Sequence, residues 1–188
     1  MLITCAGLHG TGKTTIAELL AKELKLKHYS TGMIFREMAR ENNMSLVEFS
    51  EFASKNPEID MKLDQRMKAL GLKGDVVLDG QLCWYFLKDK ADWKILLICK
   101  DYIRLQRIFK REREKKGDCI TFEDVQFETF ERERIERDRY KRIYGIDLSD
   151  TEFVRKNHNI VIDTTNKTID EVLSEILSII KGNTRENN

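Results

Sequence analysis

Five short apolar runs punctuate the chain and are separated by longer segments of helical character. They are Leu2–Ala6, Lys27–Ser30, Asp75–Asp79, Trp93–Ile98 and Asn159–Asp163. Apart from the weaker second run, they are typical of strands buried on both faces of a parallel sheet. Between them, apolar residues recur at helical spacing, as at Ile16, Leu20 and Leu24. Strands that alternate with helices predict a doubly wound α/β fold.

Polar residues at helix starts sharpen the predicted boundaries. Two pairs have the spacing of a capping box, Ser45 with Glu48 and Thr168 with Glu171. The only proline, Pro57, follows Asn56. This order predicts a helix with Asn56 as its N-cap and Pro57 at its first helical position.

The length and the strand–helix rhythm indicate one domain. A chain of 188 residues builds one well-buried core. Two inserts interrupt the rhythm, at about 35–72 and about 112–122, and each is expected to act as a flap, with Lys115–Asp118 at the tip of the second. A long charged helix is predicted from Phe122 to about Tyr144. The last helix is predicted to end near Lys181, so that a core over 1–182 precedes a flexible tail over 183–188.

The segment after the first strand carries the strongest chemical signal. Gly7–Thr14 reads G-L-H-G-T-G-K-T and satisfies G-x-x-x-x-G-K-[ST] at the head of a helix, the context that a phosphate-binding loop requires. A glycine-rich turn that happens to carry a lysine is the alternative, and it does not account for six pattern elements in that context. We predict ATP binding by the loop and the next residue: Gly7, Leu8, His9, Gly10, Thr11, Gly12, Lys13, Thr14 and Thr15.

The loop chemistry also predicts Mg²⁺. Thr14 can ligate the ion through its hydroxyl. Asp79 ends the run Val76–Leu78, at the carboxyl edge of a strand, where it can hold a Mg²⁺-bound water. A strand-ending Asp-Gly turn explains the dipeptide equally well. A GTPase switch is excluded, because Asn166–Asp170 has one residue too many for the base-reading N-K-x-D motif.

Composition narrows the possible partners. Lys plus Arg number 33 against 32 Asp plus Glu, so the overall charge does not favour nucleic acid or a membrane surface. No apolar stretch approaches membrane-spanning length, and no basic leader is seen. The cysteines have no C-x-x-C spacing and are expected to be reduced thiols. A cytoplasmic protein is predicted.

Arginines recur in helical register. Two sets share a helix face, Arg104 with Arg107 and Arg111, and Arg132 with Arg139. Each set can converge on phosphate. Interleaved acids support a plainer interpretation, because Glu128 with Arg132 and Glu133 with Arg137 have the i,i+4 spacing of ion pairs on a solvated helix. The spacing fits both.

Together these motifs resemble a known family over nearly the full length of the chain. Besides the phosphate loop, the matching segments are Ser30–Glu37, Asn56–Asp60, Val76–Gly80, Arg132–Glu133 with Arg139–Tyr140, Ile143–Asp147 and Ile162–Thr165. The chain resembles the nucleoside monophosphate kinases, and most closely the compact archaeal-type cytidylate kinases.

The resemblance implies a P-loop NTPase fold with a five-stranded parallel sheet, a monophosphate-binding insert and an arginine-bearing lid. By position, Arg36 would hold the acceptor phosphate. Arg107 and Arg111 would meet the adenine and phosphates of ATP. Arg132 and Arg139 would bridge donor and acceptor at the point of transfer, with Lys13 as the third catalytic residue.

The resemblance also implies an acceptor site. Ser30, Asp60, Asp64 and Gly80 would contribute to it beside Arg36. For the cytosine ring the candidates are Asp60, Asp64 and Gln65 on the insert helix, with an ordinary solvated helix face as the alternative.

Three positions depart from the family pattern. Met33 stands where related adenylate kinases usually have Asp, Gln81 replaces an arginine that commonly touches the acceptor phosphate, and Phe130 replaces another arginine. Gln81 most affects the implied substrate site. His9 is expected to contribute chiefly its backbone.

The predicted reaction is transfer of the ATP γ-phosphoryl group to CMP or dCMP. The acceptor phosphate is already ionised at neutral pH, so no general base is needed, and alignment and charge neutralisation supply the catalysis. An adenylate kinase or another small-molecule kinase on the same frame is the near alternative. An ATP-gated regulatory or assembly factor is the alternative from another class, motivated by the charged helix. A monomer that binds only small nucleotides is favoured.

Overall fold

The strands form where the apolar runs predict them. The computed structural model describes residues 1–186. Its strands are β1 (Leu2–Ala6), β2 (Lys27–Ser30), β3 (Val76–Asp79), β4 (Trp93–Ile98) and β5 (Ile160–Asp163). They form one parallel sheet of five strands in the order β2-β3-β1-β4-β5. The predicted α/β class with a five-stranded parallel sheet is confirmed.

Helices fill the connections between the strands. In the described part of the chain they are α1 (Lys13–Glu23), α2 (Thr31–Glu41), α3 (Leu46–Lys55), α4 (Glu58–Leu72), α5 (Cys83–Phe86), α6 (Asp101–Lys116), α7 (Phe122–Tyr144), α8 (Thr151–Lys156) and α9 (Ile169–Glu186). A single 3₁₀ turn, Gly117–Cys119, separates α6 from α7. The predicted long helix from Phe122 to Tyr144 is confirmed as α7.

The two faces of the sheet have different coverings because successive side chains on a strand point to opposite faces. On one face, Ile3 and Cys5 of β1 pack with the buried residues of α1 and α9. On the other face, Leu2 packs with α2, α3 and α4, and Ala6 packs with Trp84 of α5. The connections that leave β1 and β3 therefore pass to opposite faces. A crevice opens between the carboxyl ends of these neighbouring strands, where ligands bind in open α/β sheets.

The predicted capping boxes are present. The Ser45 hydroxyl accepts from the Glu48 amide at 3.2 Å, and the Glu48 carboxylate accepts from the Ser45 amide at 2.8 Å. In the second box, the Thr168 hydroxyl accepts from the Glu171 amide at 3.3 Å, and the Glu171 carboxylate accepts from the Thr168 amide at 2.7 Å.

The prediction for Asn56 and Pro57 is wrong by one residue. Pro57 is the N-cap residue of α4, which begins at Glu58. The Asn56 amide instead donates to the Phe52 carbonyl at 2.7 Å, so it caps the end of α3. A polar residue between two closely spaced helices can serve either one, and here the preceding helix takes it.

The two inserts differ in extent. The first insert contains most of α2 and all of α3 and α4. Its apolar side chains, Phe49 and Met67 among them, share one buried cluster with residues of β1 and β3. Much of the second lies within regular helix, because α6 continues to Lys116 and ends where Gly117 adopts a φ of 71°. The motion of either insert stays a prediction.

The last helix is longer than predicted. Helix α9 continues to Glu186, beyond the predicted end near Lys181, and the remaining residues of the predicted tail, 187 and 188, lie outside the described residues. All four cysteines are free thiols, as predicted. Among residues 1–186, no helix has both the length and the apolarity needed to cross a membrane.

Candidate active site

The phosphate loop connects β1 to α1 through backbone that only glycine tolerates well. Gly7 and Gly10 have φ values of 142° and 81°. A Cβ at Gly7 would lie 2.3 Å from the Leu97 carbonyl oxygen, and one at Gly10 would lie 2.4 Å from that of Arg104. Side chains at either position would therefore separate the loop from β4 or α6. The loop therefore packs closely against both elements.

Lys13 lies at the start of α1 with its ammonium folded over the loop. Its Nζ donates to the Leu8 carbonyl at 3.1 Å, and the Thr11 hydroxyl donates to the same oxygen at 2.8 Å. Burial lowers the pKa of Lys13, whereas the carboxylates of Asp79 and Glu136 oppose that shift. An incoming phosphate would replace the weak carbonyl partner with a charged one.

Thr14 and Asp79 lie together at the predicted magnesium position. In the register of the sheet, Asp79 of β3 pairs with Cys5 of β1, next to the loop. The Thr14 hydroxyl donates to Asp79 Oδ2 at 2.5 Å, and Asp79 is only 5% exposed. Two hard oxygen ligands in contact suit Mg²⁺, which takes its remaining ligands from phosphates and water.

A cavity of about 560 Å³ adjoins the loop and α1. Its walls include Arg107 and Arg111 of α6 and the β5–α9 connection with Thr164 and Lys167. The Arg107 guanidinium donates to the Thr164 hydroxyl and carbonyl oxygens at 3.0 and 2.6 Å. These two hydrogen bonds hold Arg107 in place at the wall of the cavity. The cavity is large enough for a nucleotide base and ribose.

Of the three arginines in register on α6, Arg107 and Arg111 line the cavity, whereas Arg104 is buried. It is 1% exposed and forms a two-pronged ion pair with Glu133 of α7, at 2.7 and 3.0 Å. Its guanidinium also donates to the His9 carbonyl at 3.2 Å. Arg104 therefore fastens the phosphate loop to α6 and α7.

The i,i+4 partners considered for Glu128 and Glu133 of α7 are not the ones seen, because Arg132 pairs with Glu136 and Glu133 pairs with another helix. Glu133 is bonded to Arg104, and its Oε1 also accepts from the His9 backbone amide at 3.2 Å. The Phe130 ring lies 5.6 Å from the Arg104 guanidinium carbon, so the residue that replaces a family arginine covers the buried pair.

Glu136 is a site residue that the sequence patterns missed. Its carboxylate is bonded to the His9 ring at 2.9 Å and accepts from the Gln81 amide at 2.8 Å and from Arg132 Nε at 3.0 Å. The His9 ring is therefore engaged with α7, and the contribution of His9 to nucleotide binding through its backbone stays a prediction. The i,i+4 spacing of Arg132 and Glu136 could have indicated that the two side chains pair. The same spacing is also typical of an ordinary pair on an exposed helix face, so it does not identify a site residue.

Two carboxylates of α4 face α7 on the predicted acceptor side. Asp60 accepts from Arg139 at 2.8 Å, and Asp64 accepts from the Tyr144 hydroxyl at 2.7 Å. Burial raises the pKa of both carboxyls, against the opposing effects of Arg139 and Tyr144. Arg139 Nε is buried without a hydrogen-bond partner. This unsatisfied donor is what an arginine awaiting an anionic ligand would present.

The other predicted acceptor residues lie at the ends of β2 and β3 or on the insert. Ser30 is the N-cap of α2 and accepts from the Met33 amide at 3.1 Å. Gly80 directly follows β3 and donates to the Cys5 carbonyl at 3.2 Å. Arg36 is exposed on α2, and Gln65 is exposed on α4. The acceptor roles of these residues stay predictions.

The class of protein follows from this arrangement. A parallel sheet carries a phosphate loop with its lysine, a Thr–Asp pair beside the loop, and arginines from a second and a third element. These are the parts of a P-loop phosphotransferase. The family described as AAA domain matches residues 3–137.

Similar proteins identify the family within that class. The cytidylate kinase of Methanocaldococcus jannaschii is 40% identical over 183 residues, which cover 96% of this chain and 97% of that protein. The cytidylate kinase of Aeropyrum pernix is 38% identical over 92% of this chain and 94% of that protein. The chain belongs to the cytidylate kinase family, which confirms the resemblance in its motifs.

Solved structures share the fold at low sequence identity. An uncharacterized protein from Eubacterium ventriosum superposes with a TM-score of 0.69 at 14% identity, over 96% of this chain and 99% of that one. The shikimate kinase of Acinetobacter baumannii, solved with shikimate, superposes with a TM-score of 0.60 at 20% identity, over 96% of this chain and 93% of that one. These similarities support the fold alone.

Proposed function

We propose that the protein transfers the γ-phosphoryl group of ATP to CMP or dCMP, giving ADP and CDP or dCDP. One observation carries the proposal: the phosphate loop of a cytidylate kinase family member lies between two arginine-bearing sites. The cavity with Arg107 and Arg111 would take ATP. The space between α4 and α7, with Arg139 and the two carboxylates, would take the monophosphate.

The reaction needs neutralisation of charge more than it needs a base. An ionised oxygen of the acceptor phosphate attacks the γ-phosphorus, a new P–O bond forms, and the bond to the ADP oxygen breaks. Lys13 would neutralise the β- and γ-phosphates of ATP, and Arg132 and Arg139 would neutralise the oxygens at the point of transfer. Exclusion of water by the inserts would protect the γ-phosphate from hydrolysis.

Magnesium would bind beside the loop. Thr14 would ligate it directly, and Asp79 would hold one of its waters; the contact between these two oxygens supports the assignment. When bound, the ion would offset the negative charge of the β- and γ-phosphates.

Acceptor recognition would use the insert. Arg36 would bind the acceptor phosphate, with Ser30 and Gly80 at its rim. Asp60 or Asp64 would accept a hydrogen bond from the exocyclic amine of cytosine, the group that distinguishes it from uracil. Binding would require these carboxylates to exchange Arg139 or Tyr144 for the base. We further propose a cytoplasmic monomer whose partners are small nucleotides, without nucleic acid or membrane.

A nucleotide panel tests the proposed function. ADP formation would be measured with ATP·Mg²⁺ and CMP, dCMP, UMP or AMP in turn, with an acceptor-free reaction as the control. We expect turnover with CMP or dCMP well above the others. A strong preference for AMP would identify an adenylate kinase. Hydrolysis of ATP that no monophosphate stimulates, and that a macromolecular partner does stimulate, would identify an ATP-gated factor.

A further inference from the structure

Glu136 lies at a junction of three elements that the reaction must keep aligned. It belongs to α7, and its side chain is 16% exposed. His9 comes from the phosphate loop, Gln81 from the turn after β3, and Arg132 from α7 itself. Each of these three side chains directs a polar group at the same carboxylate.

An ordinary helix ion pair does not explain this arrangement. A pair between Arg132 and Glu136 alone would leave the carboxylate in solvent and would contribute little. Here two of the three partners are 127 and 55 positions away in sequence, and the carboxylate is largely removed from water. Burial alone raises the pKa of Glu136, yet hydrogen bonds and charge from His9 and Arg132 hold it below its ordinary value. The carboxylate therefore stays ionised in its buried position.

Gln81 is an uncharged hydrogen-bond donor to Glu136. The resemblance places an acceptor-binding arginine at this position, whereas Gln81 directs its amide to Glu136. Because glutamine is neutral, the negative charge of Glu136 stays available to Arg132. A second arginine would compete with Arg132 for the same carboxylate.

We propose that Glu136 is a positioning residue of the transfer reaction, which holds Arg132 at the phosphate loop through one carboxylate shared with His9 and Gln81. The proposal rests on the proposed function, in which Arg132 neutralises the transferred group. Arg132 is 67% exposed, and Glu136 is its hydrogen-bonded partner. Fixing a long, exposed arginine side chain costs rotamer entropy, and Glu136 would supply that order before substrate arrives.

The test compares Glu136→Gln with a matched control. Glu136→Gln keeps the shape of the side chain but removes its charge and replaces one acceptor oxygen with an amide NH2 donor. Glu131→Gln makes the same change at a half-exposed position of α7, where Glu131 pairs with Arg134 of its own helix. Both proteins would be assayed for kcat, for KM of ATP and the acceptor, and for Tm, with the acceptor that the wild-type protein prefers.

We expect Glu136→Gln to lower kcat about 10- to 100-fold with KM for ATP within about twofold of wild type. Tm should stay within a few degrees, and Glu131→Gln should behave like wild type. A purely structural role would instead lower Tm and leave kcat of the folded fraction unchanged, and that result would overturn the proposal.

A double-variant cycle identifies the residue through which Glu136 acts. If it acts through Arg132, then Arg132→Ala with Glu136→Gln should be no slower than Arg132→Ala alone. Multiplying losses would show independent action and would reject the positioning role. Full turnover by Glu136→Gln would reject that role while leaving the proposed function intact. Absence of monophosphate phosphorylation by the wild-type protein would reject both.

Discussion

The donor and acceptor sides of the site are held in place by different interactions. On the donor side, backbone geometry and one buried ion pair fix the loop, and Lys13 rests on the weak Leu8 carbonyl. On the acceptor side, two carboxylates already have protein partners, Asp60 with Arg139 and Asp64 with Tyr144, although Arg139 Nε has no hydrogen-bond partner. The donor side is therefore preformed and needs little rearrangement to bind phosphate. In the proposed function, the acceptor would have to displace these internal partners in order to bind.

The largest expected effect comes from breaking the scaffold of the donor side. Arg104→Met removes one partner of the buried pair and leaves Glu133 charged in a buried site, so the free energy of unfolding should fall by about 3–5 kcal/mol. Urea unfolding measures it. Arg113→Met, at the exposed pair with Asp118, is the matched control and should stay within about 0.5 kcal/mol of wild type. A loss as small as that of the control would show that the loop does not depend on α6 and α7.

Removing the cation of the loop tests the donor side directly. Lys13→Ala should lower kcat about 10²- to 10³-fold, because the lysine acts on charge that develops near the γ-phosphate. Steady-state kinetics and circular dichroism together separate lost chemistry from lost fold. Lys22→Ala, at an exposed position of the same helix, is the control. Unchanged turnover in Lys13→Ala would refute the assigned role of the loop.

On the acceptor side, removal of the Arg36 charge is expected to have a smaller effect than removal of the Lys13 charge. Arg36→Ala should raise KM for CMP about 10-fold while KM for ATP changes less than twofold, since one charged hydrogen bond accounts for roughly 1.5–3 kcal/mol. Initial rates measured at varied CMP and at varied ATP give the two KM values separately. Arg40→Ala makes the same change at an exposed position one helical turn along. If the CMP saturation curve is unchanged, Arg36 does not bind the acceptor phosphate.

The smallest expected effect is a dependence of stability on pH. Burial holds the pKa of Asp64 above its unfolded value, so its contribution to stability is complete below the unfolded pKa and is lost as pH rises through the folded one. Asp64→Asn has no charge to bury. The difference in Tm between variant and wild type should therefore grow in favour of the variant as pH rises through that window, by a few degrees at most. A constant difference, measured by thermal unfolding across pH, would contradict this.

The donor side is also the part that local sequence patterns predicted well. Its loop is contiguous, and its glycines, Lys13 and Thr14 keep fixed spacing because successive backbone amides must converge on one phosphate. Asp79 followed from the strand that it ends, since carboxyl ends of parallel strands meet at one edge. The burial of Arg104 could not be predicted, because its spacing from Arg107 and Arg111 carries no information about which of the three is buried.

What the sequence alone determined is thus the α/β class, the order of strands and helices, the phosphate loop and the family. These depend on periodicity and on contiguous motifs, which are local properties of a chain. Only the tertiary structure decided the partners of the charged residues on α7. Glu133 and Glu136 both have arginines at helical spacing, yet the first binds Arg104, and the second binds His9 and Gln81 beside Arg132. Burial selects these partners, because a carboxylate removed from water must be matched by donors from whichever elements the fold brings together.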